Sequence, residues 1–265
     1  MNTQRRIAIG FVVYKPGGSF LERLKSAAAN GFQAYVFDNS PDESRIAEYC
    51  LNNKCVKYLT VGKNVGLGYG LAAICAQAYY EDNLALIFFD QDTVFSLETL
   101  DFINNYHANH RDLENAYSVI AFFSAENKSI KSFQDVSVVI NSGSLFFLRS
   151  LKEIGWHNHK YFVDGVDYEF CLRSKNNGFK IGRFAGVPGF DHSVEQADKK
   201  YKIFKKTYAF RAYPIVRIMD TLKANCKLIL LSLFTLNFKY TAIFVKFFMA
   251  FMFAQLASRV LKSAE

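Results

Sequence analysis

Hydrophobic positions along the chain follow two alternating patterns. Short unbroken apolar runs, rich in Val, Ile, Phe and Tyr, predict buried strands. Between them lie longer stretches in which apolar residues recur every three or four positions, as helices require. RIAIGFVVY (6–14) predicts a first strand, closed by a Pro-Gly-Gly turn, and SFLERLKSAAAN (19–30) a helix stopped by Gly31. QAYVFDNS (33–40) predicts a second strand ending on Asp38-Asn39, followed by a short helix in RIAEYCLNN and a third strand in VKYLTVG (56–62). GLAAICAQAYYED (70–82) predicts a helix and LALIFFD (84–90) a fourth strand. SLETLDFINNYHANH is helical in pattern, AYSVIAFFS a strand, FQDVSVVINSGSLFFL extended, and VDYEFCLRSKNNG (166–178) a helix ending at Gly178. This alternation predicts an α/β fold, a mostly parallel sheet covered by helices on both faces. No internal repeat, low-complexity segment or flexible linker interrupts it.

Charge changes the picture by dividing the chain. Residues 1–198 hold 19 Lys/Arg against 22 Asp/Glu, net −3, whereas residues 199–265 hold 13 against 2, net +11. We therefore expect a globular domain over 1–198 and a separate basic, aromatic-rich helical region over 199–265. Such asymmetry points to an anionic partner for the tail. The five cysteines are scattered, form no CxxC pair and are odd in number, which fits buried thiols in a reducing cytoplasm better than a disulfide framework. The N-terminal apolar run is short, is interrupted by Lys15 and Pro16, and lacks a small-residue cleavage site, so it is read as a strand and not as a signal peptide.

The candidate chemistry lies at strand ends, where an open α/β sheet binds its ligand. The fourth apolar run stops at Asp90-Gln91-Asp92. Residues i and i+2 of an extended segment point to one side, so both carboxylates can face one ion, and hard oxygen ligands suit Mg²⁺ or Mn²⁺. The competing reading makes Asp92 the cap of the helix that starts near Ser96. In FVDGVDYEFCLRSKNNGFKIG (162–182), Asp164, Asp167 and Glu169 crowd a helix start. There they complement the helix dipole or, by mutual repulsion, hold one carboxylate as a poised base. Glu169 and Arg173 stand at i and i+4, the spacing of a simple ion pair. His192 follows Asp191 in a Gly/Pro-bounded loop and gains meaning only if it meets the Asp90/Asp92 site. His107 and His110 fall on a predicted surface helix, and His157 and His159 in a polar loop. VGKNVGLGYG (61–70) is Gly-rich but has neither the full dinucleotide fingerprint nor the Gly-Lys-Ser/Thr of a P-loop.

Taken in order, VVYKP, VFDNS, NVGLGYGLA, LIFFDQDT, INSGSLFFL, YFVDGVDYEFCLRSKNNGFKIG and DHS resemble family-2 glycosyltransferases of the GT-A fold, most of all bacterial rhamnosyltransferases of O-antigen and capsule assembly. The resemblance covers about residues 6–195. It implies a metal-dependent, inverting transfer of a sugar from a nucleoside-diphosphate donor, with dTDP-rhamnose expected and UDP-galactofuranose or another UDP-hexose as alternatives. It implies that Asp38 contacts the nucleobase, that Asp90, Asp92 and His192 hold Mn²⁺ or Mg²⁺, and that Asp167 is the general base. It extends substrate binding to Asn39, Asn64, Gly66, Gln91, Ser142, Gly143, Asp164, Glu169 and Arg173, together with Asp38 and Asp90. A lipid-linked oligosaccharide is the implied acceptor. Tyr69-Gly70 and Gly165 depart from the family pattern.

In the tail, the longest uncharged run, 247–258, is too short to span a bilayer, and Lys246 interrupts a longer one. Lysines interleaved with aromatic residues suit helices lying on an anionic membrane surface. The chain is thus expected in the cytoplasm, peripheral on the inner face of the cell membrane. A nucleotidyltransferase would need a basic Gly-rich loop near the first strand, where only Lys15 stands. A basic RNA- or membrane-binding module would leave the strand-end acids unexplained; an acidic cleft repels nucleic acid, so none is expected as a partner.

Overall fold

The computed structural model describes residues 7–124, 132–191, 199–203 and 206–260. The chain divides into two compact units, Met1–Ser193 and Val194–Glu265. In the first unit the order is β1 (Ile7–Val13), α1 (Gly18–Ala29), β2 (Ala34–Asp38), α2 (Ala47–Asn52), β3 (Val56–Thr60), α3 (Gly66–Tyr80) and β4 (Ala85–Phe88). There follow β5 (Val94–Phe95), α4 (Leu97–Asn109), a 3-10 turn at Arg111–Asn115, β6 (Tyr117–Phe123), β7 (Ser132–Asp135) and β8 (Ser144–Phe147). The unit ends with α5 (Leu148–Ile154), α6 (Val166–Asn176), β9 (Lys180–Ala185) and β10 (Phe190–Asp191).

Eight strands form one sheet in the order β3-β2-β1-β4-β8-β6-β9-β7. The pairs β3–β2, β2–β1, β1–β4 and β6–β9 are parallel; β8 runs antiparallel to both β4 and β6, and β7 antiparallel to β9. From β1 the chain steps outward to β2 and β3, then crosses back to β4 on the other side of β1. The strand order reverses at β1/β4, and the carboxyl ends of these two strands open a crevice there.

The alternation of side chains along β1 buries both of its faces. Ile7, Ile9, Phe11 and Val13 join Phe20 and Leu24 of α1 and Leu100 and Ile103 of α4 in one core cluster. On the opposite face, Gly10 lies beneath Ile74 of α3 and Leu86 of β4, and a methyl group there would meet Ile74 Cδ1 at 2.8 Å. Helices thus cover both faces, as the apolar periodicity predicts.

Several local readings need correction. The stretch 133–148 is not continuously extended: β7 and β8 are separate strands, and residues 136–143 between them belong to neither. Helix α3 starts at Gly66, four residues before the predicted start: Gly66 and Gly68 pack closely against the backbone of residues 158–162, and Gly70 against the side chains of Val12 and Phe37. Strand β9 was hidden inside the FKIG end of a longer motif. In the second unit a hairpin of β11 (Lys199–Ile203) and β12 (Lys206–Phe210) precedes the helices α7 (Ile215–Phe234) and α8 (Phe238–Val260), so the tail is not wholly helical. Helix α8, 23 residues long, contains an 18-residue window of mean hydropathy 1.6 and is by length and composition able to cross a membrane. The sequence reading counted only the uninterrupted run, whereas the helix as a whole accommodates Lys239 and Lys246.

Candidate functional site

The Asp90–Asp92 loop hangs from two stacked rings. Phe89, just before it, and Phe95, just after it, lie 4.3 Å apart with an 18° interplanar angle, and Phe11 of β1 stacks on Phe95 at 6.0 Å. Such a pair contributes about 0.5–1.5 kcal/mol beyond area burial, so both ends of the loop are anchored in the core. Within the loop the Thr93 N–H donates to the Asp90 carbonyl at 3.1 Å. The buried Ser142 hydroxyl accepts the Asp90 N–H at 3.0 Å and bonds the Thr93 hydroxyl at 2.7 Å. The Gln91 side-chain carbonyl accepts the Tyr14 N–H at 2.8 Å, and Arg23 of α1 donates to the Gln91 backbone carbonyl. Gln91 is therefore a loop fastener.

One alternative left open by the sequence is decided by geometry. The cap of α4 is Ser96, whose hydroxyl accepts the Thr99 N–H at 3.2 Å in a capping box, so Asp92 is not spent on capping. Strand β10 pairs antiparallel with β5, setting Asp191 opposite Val94, two residues beyond Asp92. His192 lies outside the described residues.

The acids interact electrically. Asp90 is exposed as a residue, yet crowding by the protein around its carboxyl, with repulsion from Asp92, pushes it up to about 6. Asp167, half-buried in the first turn of α6, is pushed up to about 7, chiefly by burial; its bond from the Tyr168 N–H opposes this, and the charges of Asp164 and Asp90 add to it. Asp90, Asp92, Asp164 and Asp167 therefore share one field. Asp90 and Asp92 offer hard oxygens that repel one another, a donor set that fits Mg²⁺ or Mn²⁺. Among the described residues, no three His, Cys, Asp or Glu side chains converge to enclose a metal by themselves.

Beside this loop lies a pocket of about 210 Å³ lined by Tyr14, Asn39, Ser40, Glu43, Lys63 and Asn64, among others. Asp38, assigned to the nucleobase by resemblance, is fully buried and does not line it. One carboxylate oxygen accepts from the Ser40 N–H at 2.8 Å and the Ser40 hydroxyl at 3.1 Å, and the other from the Tyr58 hydroxyl at 3.0 Å. Asp38 thus shapes the pocket through Ser40. Asn39 accepts the Val65 N–H at 2.9 Å, and Asn64 accepts the Gly66 N–H at 3.0 Å. Gly66, at φ 84°, faces the Phe162 backbone: an added Cβ would stand 2.4 Å from the Phe162 carbonyl oxygen. That face is filled by protein and not open to a ligand.

Glu169 and Arg173, substrate contacts by resemblance, form the ion pair that their i, i+4 spacing allows. Glu169 is buried and forms a two-pronged pair with Arg173, at 2.9 and 3.1 Å. The guanidinium also donates to the carbonyls of Ile154 (3.1 Å), Gly155 (2.5 Å) and Trp156 (3.0 Å). These bonds commit both side chains to fastening the end of α5 to α6. Gly143 (φ 78°) likewise serves the scaffold: its N–H donates to the Phe88 carbonyl at 2.8 Å and its carbonyl accepts the Phe122 N–H at 2.7 Å. His107 is buried and not on the surface, bonded to Glu114 at 2.7 Å, and His157 is buried between Phe146 and Phe170. Tyr14 and Arg23 escaped the sequence reading. Tyr14 stood in the resembling VVYKP segment without a role, and a single Arg on an amphipathic helix carries no signal.

No protein-family model matches the chain, and neither does any curated protein sequence. Solved structures do. The chain is similar to S. aureus TarS (TM-score 0.54, 17% identity, covering 71% of this chain and 37% of that one). It is similar to S. aureus TarS 1-349 in complex with UDP (0.51, 16%, 68% and 60%) and to GalNAc-T7 with UDP, GalNAc and Mn²⁺ (0.53, 12%, 73% and 46%). At these identities the likeness is one of fold, and the chain spans less than two thirds of each of these structures. The fold is the GT-A type that the sequence motifs resemble.

Proposed function

We propose that the chain is a glycosyltransferase that moves a sugar from a nucleoside diphosphate to a hydroxyl of a lipid-linked glycan, with inversion at the anomeric carbon. The observation that carries this reading is the interaction of Asp90 with both Asp92 and Asp167, beside a pocket lined by Tyr14, Asn39 and Ser40, at the switch point of a GT-A sheet. The pocket on the β1/β2 side takes the base, and the diphosphate lies over the Asp90–Asp92 loop. A bound Mn²⁺ or Mg²⁺, held by Asp90, Asp92 and His192, would supply charge neutralisation for the departing diphosphate. Asp167 removes the proton of the acceptor hydroxyl. The oxygen bonds the anomeric carbon from the face opposite the diphosphate, and the bond to the diphosphate oxygen breaks with its electron pair. Ser40, positioned by Asp38, and Tyr14 border the base; Asp164 sustains the high affinity of Asp167 for its proton.

The donor expected from the motifs is dTDP-rhamnose. The UDP held by TarS 1-349 and by GalNAc-T7 supports testing UDP-hexoses beside it. The scattered, mostly buried cysteines suit the cytoplasmic side of a membrane, where such donors would meet the enzyme. The test is binding of dTDP and UDP, with and without Mn²⁺, to wild type and Asp92→Ala, followed by turnover of the matching sugar nucleotide. Manganese-dependent binding lost in the variant is expected. Absence of binding by either nucleotide under every metal condition overturns the reading.

A further inference from the structure

Helix α8 has two unlike sides. Its inner side packs within the second unit: Tyr240 and Phe244 are buried, as is Leu228 of α7, and the Thr241 and Ser232 hydroxyls bond across the two helices at 2.9 Å. Its outer side carries Phe238, Val245, Met249, Phe253, Leu256 and Val260, which recur at helical intervals and fall on one face with the exposed Ala242 between them. Met249 is 62% exposed, Leu256 65% and Val260 71%, large values for apolar side chains arranged in a continuous stripe. The stripe runs the length of a 23-residue helix, about 34 Å at 1.5 Å per residue. By the same helical geometry Lys239 and Lys246 follow one edge of the stripe and Arg259 the other. The aliphatic stems of such side chains can lie along apolar surface while their charges stay at the lipid headgroups.

We infer that this stripe is a membrane-docking surface, with α8 lying in the plane of an anionic lipid leaflet. Cations along both edges of an apolar stripe complement anionic headgroups above an acyl layer. They are ill placed for a contact between two copies, which would bring like charges together. An in-plane helix also resolves the position of Lys246. Eight residues inside α8, it would lie roughly 12 Å from the Phe238 end of a spanning helix, within the hydrocarbon; in the plane, it reaches the headgroups. The surface owes nothing to the catalytic reading and is tested without nucleotide or metal.

The experiment is flotation of the full chain with vesicles of phosphatidylcholine plus phosphatidylglycerol and with vesicles of phosphatidylcholine alone. Wild type is expected to bind the anionic vesicles, and the affinity is expected to fall as salt rises. Met249→Glu/Leu256→Glu is expected to abolish binding with an unchanged thermal midpoint, since both side chains are exposed. Lys239→Gln/Lys246→Gln, which leaves the stripe intact, is expected to weaken binding by about tenfold or more. Equal flotation of wild type and both variants overturns the inference. So does resistance of the membrane-bound chain to alkaline carbonate extraction, the mark of a spanning helix. A lipid-free dimer that Met249→Glu/Leu256→Glu converts to monomer would assign the stripe to self-association.

Discussion

The Asp90 N–H donates to the hydroxyl of Ser142, a residue distant in sequence, at 3.0 Å. That bond joins the carboxyl end of β4 to the turn leading into β8, and the 2.7 Å contact between Ser142 and Thr93 closes the loop from its other end. Ser142→Ala removes both. A buried polar group left without its partner costs about 1–3 kcal/mol, and the thermal midpoint should fall accordingly. If the loop presents Asp90 and Asp92 to a cation, manganese-dependent nucleotide binding should fall by more than the stability loss explains, while metal-independent binding changes little. Titration calorimetry at a temperature where the variant is fully folded separates the two effects. Unaltered manganese dependence would reduce Ser142 to a packing residue.

Asp167 sets a pH dependence. Its carboxyl, raised to about 7, is half ionised near neutrality, and only the ionised form accepts a proton. The rate at low acceptor concentration should therefore climb as pH rises through about 7, and Asp167→Asn should lose that rise together with most of the activity. Stability should move the other way. A carboxyl that holds its proton more tightly when folded stabilises the fold below its unfolded value, near 4, and that contribution is lost as pH rises toward 7. Asp167→Asn should thus unfold at a higher temperature than wild type at pH 8, without nucleotide or metal, and the difference should close by pH 4. Identical melting curves at both pH values would show that burial does not raise the Asp167 carboxyl.

Glu169 and Arg173 should behave as structural residues. Removing one partner of a buried, fully hydrogen-bonded pair costs about 3–5 kcal/mol, and Arg173→Ala also abandons the carbonyls of Ile154, Gly155 and Trp156. Arg173→Lys should rescue little, because an ammonium cannot reproduce the fork. In denaturant titrations both variants should unfold at lower concentrations, while folded protein keeps its nucleotide affinity. Loss of affinity at full stability would return the pair to the substrate site.

Strand positions were legible because each buried strand is a nearly unbroken apolar run, and β1, β2 and β4 could be read to within two residues. The acids Asp90 and Asp92 stand out for a related reason, since a charge ending such a run has no place in the core, whereas Asp167 stands out through the crowding of acids at a helix start. Burial and partnership were not legible. Asp38 ends its strand as abruptly as Asp90, yet it is consumed by Ser40 and Tyr58. The hairpin of β11 and β12 was missed because its lysines mask any alternation. Arg23 meets the Gln91 carbonyl only through the packing of α1 on the sheet, a long-range fact that no local pattern records.

The glycines at the start of α3 provide the last test. The resemblance sets Gly66 among the substrate contacts, but a Cβ on Gly68 would stand 2.4 Å from the Tyr161 carbonyl oxygen and 2.6 Å from that of Asn158. Neither obstacle is a side-chain end that can swing away; both are backbone of the segment leading to α6 and Asp167. Gly68→Ala must therefore push α3 and residues 158–162 apart, at a cost of about 1–3 kcal/mol for overpacking. Gly66→Ala adds the strain of an L-residue at φ 84°, about 1–2 kcal/mol. Because residues 158–162 lead directly to Asp167, the displacement should lower turnover more than donor binding. The discriminating measurement is the ratio of the two in Gly68→Ala: an equal fall in both would mean that the glycine serves the nucleotide pocket, and a fall confined to turnover that it sets the approach of the base.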